Sequence, residues 1–83
     1  MVIKYFSWIR ENIGQAEETL SLPANIQTVF QLLDHLSQSS PAHAAAFDVR
    51  GLVRVAVNQI HVQHDHLLSN SDEVAIFPPV TGG

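Results

Sequence analysis

The chain has 83 residues, enough for one small domain that buries about 60% of its unfolded surface. Hydrophobic residues make up 46% and charged residues 14% of it, a composition typical of a folded globular chain. Eight acidic residues outnumber four scattered basic ones, so the net charge is -4 and a phosphate-neutralising stripe is excluded. We therefore expect one domain and no nucleic-acid partner.

Cysteine is missing from the sequence, which excludes a disulfide framework, a thiolate nucleophile and a zinc–thiolate site. Lys4, Arg10 and Glu11 interrupt the N-terminal apolar stretch, and no segment approaches the roughly 20 apolar residues of a membrane span. We expect a cytoplasmic protein with no targeting segment and no membrane partner.

The first element, from Met1 to Ile9, is rich in β-branched and aromatic residues. Ile3 and Tyr5 alternate with residues of the opposite face, which predicts a strand. The opposite face carries Val2, Lys4, Phe6 and Trp8. Gly14 predicts a turn, and the alternation from Glu17 to Leu22 predicts a second strand that forms a hairpin with the first.

The next element is a helix with its own start signal. The Thr28 hydroxyl can cap the first turn while Gln31 reaches back, and apolar residues then recur at helical spacing. These residues are Val29, Leu32, Leu33 and Leu36. The segment from Ser37 to Pro41 ends the helix, and residues from His43 to Phe47 predict one short helical turn.

Two strands are predicted after this turn. Residues from Leu52 to Asn58 alternate between apolar and polar or small side chains, which predicts a third strand with a valine face inward. That face consists of Val53, Val55 and Val57. Asn58-Gln59 then turns the chain into a short strand from Ile60 to Val62.

A polar loop from His64 to Glu73 leads to a last strand, Val74 to Phe77, which Pro78 and Pro79 end. One main helix between groups of strands indicates an α+β fold in which a mixed sheet packs on that helix, and the β-grasp topology of ubiquitin is the natural candidate. Its first and last strands are central neighbours. Residues 1–77 would form the domain, and residues 78–83 would project as a tail.

The tail ends in Gly82-Gly83, and a frayed terminus is one interpretation of this ending. The functional interpretation is that Gly-Gly passes through a channel too narrow for other side chains and presents a bare carboxylate. Four extended residues reach about 13 Å, enough to enter a partner's active site. Adenylation by ATP would convert the carboxylate into a mixed anhydride that a lysine, thiol or sulfide attacks.

Three segments carry a family resemblance: Ala56-Val57-Asn58-Gln59, Asp72-Glu73-Val74-Ala75 and the ending Phe77-Pro78-Pro79-Val80-Thr81-Gly82-Gly83. Weaker matches are Tyr5-Phe6, Arg10-Glu11 followed by Gly14, Leu22-Pro23 and Thr28-Val29. From end to end the chain resembles the MoaD-like small subunits of molybdopterin synthase, within the ubiquitin-related sulfur carriers. Ser69-Asn70-Ser71 and Trp8 depart from the family pattern.

The resemblance implies a non-catalytic sulfur carrier with no bound cofactor. An E1-like enzyme would use ATP to adenylate Gly83, which would become a thiocarboxylate and supply the dithiolene sulfur of molybdopterin, formed from cyclic pyranopterin monophosphate. The large synthase subunit would supply the catalytic side chains in a heterotetramer of two small and two large subunits. It would receive the tail through Pro79, Val80, Thr81 and Gly82. Alternatives are a carrier for thiamin or tRNA thiolation, a ubiquitin-like modifier of lysines, and a binding module with an inert tail.

Strand alternation predicts an apolar docking patch at the base of the tail. If Ile3 and Tyr5 face the helix, the next residue, Phe6, must face away from it. The same alternation makes Ala56 and Phe77 face away from the helix. Trp8 and His61 complete the predicted partner interface. A bulge that changes the parity and buries both phenylalanines is the alternative.

Imidazoles and a carboxylate that could hold zinc or nickel lie close together at His61, His64, Asp65 and His66. We expect no metal site, because neighbouring side chains on a short loop usually point apart. Asp72 and Glu73 are interpreted as a solvated turn and not as an acid/base pair, since consecutive residues at a strand start face opposite sides.

Overall fold

The computed structural model describes residues 1–48 and 53–79. In chain order its elements are β1 (Val2–Tyr5), α1 (Ser7–Ile13), β2 (Glu17–Thr19), α2 (Val29–Ser37), α3 (Pro41–Ala46), β3 (Arg54–Val57), β4 (Ile60–Val62) and β5 (Glu73–Phe77). Within these residues one five-stranded sheet has the order β2-β1-β5-β3-β4, with β1 parallel to β5 and the other pairs antiparallel. The predicted α+β mixed sheet, with its first and last strands as central neighbours, is confirmed.

The core lies between the inner face of the sheet and the apolar stripe of α2. Alternate residues of the three middle strands are buried, namely Ile3, Tyr5, Val55, Val57, Val74 and Ile76. The helix contributes Val29, Leu32, Leu33 and Leu36. Val53, just before β3, is also buried, so the inward valine face is confirmed. Leu52, the predicted first residue of that strand, lies outside the described residues.

Helix α2 begins as its sequence predicts. The Gln31 N–H donates to the Thr28 hydroxyl over 3.2 Å, and the Gln31 side chain accepts from the Thr28 N–H over 3.1 Å, which completes a capping box. A loop covers the remaining first-turn donors, since Val29 and Phe30 donate their N–H groups to the carbonyls of His66 and His64. Because the buried stripe follows directly, local and tertiary signals agree in this helix.

The predicted first strand is too long. β1 ends at Tyr5, and helix α1 occupies the residues that we predicted to continue the strand and the turn. Ile9 is fully buried and Ile13 packs against the core, and their spacing of four residues places both on one helix face. Gly14, at φ 89°, ends the helix by donating to the Arg10 carbonyl. The predicted hairpin is therefore an antiparallel pair joined by a helix.

Shorter elements follow the prediction with small shifts. β2 ends at Thr19 instead of Leu22, and α3 begins two residues before the predicted helical turn. Asn58 and Gln59 both have positive φ, 51° and 71°, and form the two-residue turn between β3 and β4. No helix in residues 1–48 and 53–79 is long and apolar enough to cross a bilayer.

Candidate functional site at the base of the tail

The tail leaves the sheet from its central strand. The last pairs of β5 are Ile76 with Tyr5 of β1 and Phe77 with Arg54 of β3. Pro78 and Pro79 follow and are half-buried. The predicted tail residues Val80, Thr81, Gly82 and Gly83 lie outside the described residues. The described structure therefore supplies the base from which a tail would extend.

Four residues of the predicted docking patch lie on the outer face of the sheet, which is the face turned away from α2. Phe6 is 44% exposed, and its N–H donates to the Ile76 carbonyl over 3.1 Å, which aligns it with Phe77. The rings of His61 and Phe77 meet edge to face with centroids 5.2 Å apart. Ala56, although buried, pairs with His61 and alternates with the inward valines. We call Phe6, Ala56, His61 and Phe77 the docking patch.

Trp8 does not belong to this patch. The prediction placed Trp8 two residues beyond Phe6 on the same strand face, but β1 ends before either residue. In α1 the half-buried Trp8 packs against the core. The physical reason is the change of period at the strand end, since positions two apart share a strand face but lie on different sides of a helix.

A charged pair that the sequence analysis did not identify lies on the same outer face. The Lys4 ammonium is 2.7 Å from a Glu73 carboxylate oxygen, and both side chains are partly exposed. The hydrogen bond to Glu73, helped by its charge and that of Glu17, raises the pKa of Lys4. Strand alternation places Lys4 and Glu73 on the outer face, but only the register of β1 against β5 brings their side chains together.

Asp72 and Glu73 have separate partners. Asp72 accepts from the Ser69 N–H over 2.8 Å and from the Asn58 amide over 3.0 Å, whereas Glu73 pairs with Lys4. In the segment that departs from the family pattern, the Asn70 side chain accepts from the Leu22 N–H over 2.8 Å. The Asp72 carboxylate therefore stabilises the turn before β5, and the Glu73 carboxylate stabilises the pairing of β1 with β5.

The histidine-rich segment spreads its imidazoles over different surroundings. His61 contacts Phe77, while the Nε2 atom of His64 lies 3.3 Å from the Val53 carbonyl. Within the described ranges, no group of three or more His, Cys, Asp or Glu side chains is arranged to hold a metal ion.

A buried polar network that the sequence analysis missed joins β1, β2 and α3. The Tyr5 hydroxyl and the His43 Nε2 atom both reach one carboxylate oxygen of Glu18, each over 2.6 Å. Ser40, the N-cap of α3, lies 2.7 Å from His43 Nδ1. A neutral His43 that donates from Nε2 leaves Nδ1 to accept from the Ser40 hydroxyl. His43 and Glu18 are 25 residues apart, so no local pattern predicts their contact.

The network shifts the titration of two of its members. Burial raises the pKa of Tyr5, and the hydrogen bond to Glu18 raises it further. For Glu18, partial burial opposes ionisation, but the hydrogen bonds from Tyr5 and His43 outweigh it and lower the pKa of the carboxyl. The network therefore holds an ionised carboxylate and stabilises the packing of α3 against β2.

Comparison with known proteins decides the family. A model described as the ThiS family matches residues 3–83. The chain belongs to the ThiS family. The molybdopterin synthase sulfur carrier subunit of Escherichia coli (strain K12) is similar to it, at 40% identity over 81 residues that span 98% of this chain and 96% of the relative. The predicted membership of the sulfur-carrier family is confirmed.

Solved structures of two archaeal proteins have a similar fold. A putative molybdopterin converting factor, subunit 1, from Pyrococcus furiosus has a TM-score of 0.76 at 30% identity, with 95% of both chains covered. The small archaeal modifier protein 1 of Haloferax volcanii has a TM-score of 0.74 at 26% identity, with 96% of this ThiS-family chain and 97% of that chain covered. Both matches support the β-grasp fold.

Proposed function

We propose that this ThiS-family chain is the sulfur carrier subunit of a molybdopterin synthase and carries sulfur on the C-terminal carboxyl of Gly83. The observation that carries the proposal is the match, over nearly its full length, to relatives described as molybdopterin synthase sulfur carrier subunits. The central position of β5 supports it, because Pro78 and Pro79 follow that strand directly and would form the base of a tail there.

The proposed chemistry balances without a side chain of this chain. The Gly83 carboxylate attacks the α-phosphorus of ATP, pyrophosphate leaves, and an acyl adenylate forms. Sulfur at the oxidation level of sulfide then displaces AMP and leaves a thiocarboxylate. Transfer of that sulfur to cyclic pyranopterin monophosphate, with water supplying the replacing oxygen, returns the carboxylate. The activating enzyme binds the ATP in this proposal, and the large subunit provides the catalytic side chains.

The proposed partner surface is the docking patch. Phe6 and Phe77 both lie on the outer face at the end of the sheet where the tail begins, and the ring of His61 contacts Phe77 and extends the patch onto β4. Aromatic anchors with a polar rim are typical of protein interfaces, and here Lys4, Glu73 and Arg54 supply the rim. A large subunit that covers this patch while it takes in the tail would hold Pro79, Val80, Thr81 and Gly82 in its channel. Two copies of each subunit would form the synthase.

Deletion of Gly83 tests the carrier role. We expect the truncated chain to keep its melting temperature, since a terminal glycine beyond the last strand contributes few contacts, and to lose sulfur transfer completely. Melting curves, large-subunit binding and reconstituted molybdopterin formation are measured side by side. Retained binding with lost transfer separates chemistry from docking. Molybdopterin formation by the truncated chain would exclude the proposed function.

Aspartate substitutions test the docking patch. Phe6→Asp should leave the domain folded and abolish large-subunit binding, and Phe77→Asp should do the same with some loss of stability because Phe77 is half-buried. Phe30→Asp is the matched control, since Phe30 is 54% exposed on α2. Affinities equal to that of the Phe30 variant, measured by calorimetry, would show that the patch is not the interface.

A second candidate function is attachment to lysines as a ubiquitin-like modifier. The fold match to a small archaeal modifier protein favours it, because the same activated glycine can also be attacked by a lysine amine. Intact mass measurement of the chain purified from native cells distinguishes the two. A C-terminal thiocarboxylate supports the carrier, which could also serve thiamin or tRNA thiolation, and covalent high-mass conjugates support the modifier.

A further inference from the structure

The parallel ladder between β1 and β5 stops at a defined atom. In a parallel ladder every second residue of one strand donates its N–H to one residue of the neighbouring strand and accepts at its carbonyl from the residue two positions further on. At the start of β1 the Val2 N–H donates to the Asp72 carbonyl over 3.2 Å. At its end the Phe6 N–H donates to the Ile76 carbonyl over 3.1 Å. The next bond in this pattern would run from the N–H of residue 78 to the Phe6 carbonyl. Residue 78 is proline, which has no N–H.

The Phe6 carbonyl has another donor instead. The Arg10 N–H reaches it over 3.3 Å and makes the first hydrogen bond of α1. The chain turns between these two residues through Ser7, which has φ 57°, a left-handed conformation that non-glycine residues rarely adopt. Phe6, the N-cap of α1, makes no side-chain cap hydrogen bond. The helix therefore begins at a strained residue, at the point where the β1–β5 ladder lacks its next hydrogen bond.

The turn at Ser7 decides whether β1 continues alongside the tail. Residues 1–9 carry the alternation of a strand, and an uninterrupted β1 would place Ser7, Trp8 and Ile9 alongside Pro78, Pro79 and Val80. In that arrangement the Val80 N–H would donate to the Trp8 carbonyl, as the pattern of a parallel ladder requires. The tail would then be an added length of β5 within the sheet.

We infer that Ser7 is a positioning residue for the tail: its left-handed turn directs β1 into α1, so that Pro78 and Pro79 follow β5 with no strand beside them on the β1 side. The inference rests on the proposed function, because a carrier needs its last residues available to a partner. Pro78 acts with Ser7, since its missing N–H leaves the Phe6 carbonyl to the helix.

Substitutions at residue 7 separate this role from a general effect on stability. Ser7→Gly adopts positive φ without strain and should behave as the unmodified chain. Ser7→Val strongly disfavours positive φ and favours a strand. Asn12→Val is the matched control, because it puts the same β-branched residue at an exposed position of α1. All three are compared with the unmodified chain by melting temperature, amide hydrogen exchange and large-subunit affinity.

We expect the Val80 amide to exchange about tenfold more slowly in Ser7→Val than in Ser7→Gly or Asn12→Val. If one molecule in ten then has a free tail, the dissociation constant for the large subunit should rise about tenfold. Equal Val80 exchange and equal affinity in Ser7→Val and Ser7→Gly would overturn the inference. Slower exchange with unchanged sulfur transfer would leave the positioning role standing and count against the proposed function.

Pro78→Ala decides the case if Ser7→Val does not fold. The restored N–H should compete with Arg10 for the Phe6 carbonyl, so the residue 78 amide should be protected and the Arg10 amide should exchange faster than in the unmodified chain. A residue 78 amide that exchanges as an open amide, with Arg10 unchanged, would overturn the inference.

Discussion

The two helices α1 and α2 begin in opposite ways. At α2 the signal is local, because Thr28 and Gln31 bond to each other's backbone and the apolar stripe follows within the same turn. At α1 the first residue, Ser7, is strained, and the Phe6 carbonyl accepts from Arg10 at the point where Pro78 has no N–H to continue the ladder. One helix is therefore encoded within a few residues, whereas the other depends on a strand from the opposite end of the chain.

The comparison shows where each helix derives its stability. α2 combines good capping with four buried side chains, so its contribution should respond to packing first and to the cap second. α3 is intermediate, since Ser40 caps it locally while His43 joins it to Glu18 of β2. Substitutions in these elements measure the local and tertiary shares separately.

The largest effect is expected from the buried stripe of α2. Leu33→Ala removes a fully buried side chain and should lower the free energy of unfolding by about 3 kcal/mol. Phe30→Ala, at an exposed position of the same helix, should change it by less than about 0.5 kcal/mol. Chemical denaturation measures both. Equal losses would mean that the buried stripe stabilises α2 no more than an exposed position does.

The next effect concerns the tertiary anchor of α3. Glu18→Gln weakens two hydrogen bonds to a carboxylate that is about a quarter exposed, and should cost about 1.5 kcal/mol at neutral pH. Because folding lowers the pKa of Glu18, its stabilisation is complete above the unfolded value near 4.5 and is lost as the pH falls through the lower folded value.

Chemical denaturation between pH 7 and pH 2 measures this loss of stability at low pH, which we call the acid limb. The unmodified chain should lose stability below about pH 4.5, and Glu18→Gln should lose less over the same interval. Glu17→Gln, at the exposed neighbouring position of β2, should keep the acid limb of the unmodified chain. An acid limb that is the same in Glu18→Gln and Glu17→Gln would contradict the role given to the network.

A smaller effect is expected from the local cap of α2. Thr28→Ala removes the hydroxyl that accepts from Gln31 and should cost about 1 kcal/mol, while Thr28→Ser should keep most of the stability. Thermal unfolding of the pair measures the difference. If Thr28→Ala were as stable as Thr28→Ser, the start of α2 would depend on tertiary contacts, as that of α1 does, and the contrast between the two helices would disappear.

No effect is expected from zinc or nickel. A stoichiometric metal that bound only the folded chain would raise the melting temperature by mass action, and the dispersed imidazoles of His61, His64 and His66 give it no shared site. A melting shift that disappears in His64→Ala and His66→Ala would contradict this prediction.

Several features of the site could be predicted from sequence because they follow from alternation alone. Ala56 and Phe77 face outward as the parity of β3 and β5 requires, the extended residue Phe6 continues the alternation of β1, and no bulge intervenes within β1, β3 or β5. Trp8 was misplaced for the same reason, since alternation continues in the sequence after the strand has ended. The Lys4–Glu73 pair required the strand register, which no single segment contains.

The sequence by itself determined the elements whose signals lie within a few residues of one another. These are the capped helix α2, the inward valines around β3, the turn at Asn58-Gln59 and the family ending after Phe77. Only the tertiary structure decided where β1 stops, because Phe6 bonds to Ile76, two residues before Pro78, only when β1 and β5 are paired. It also decided the contact of His43 with Glu18, since the free energy of that network comes from groups that the fold alone brings together.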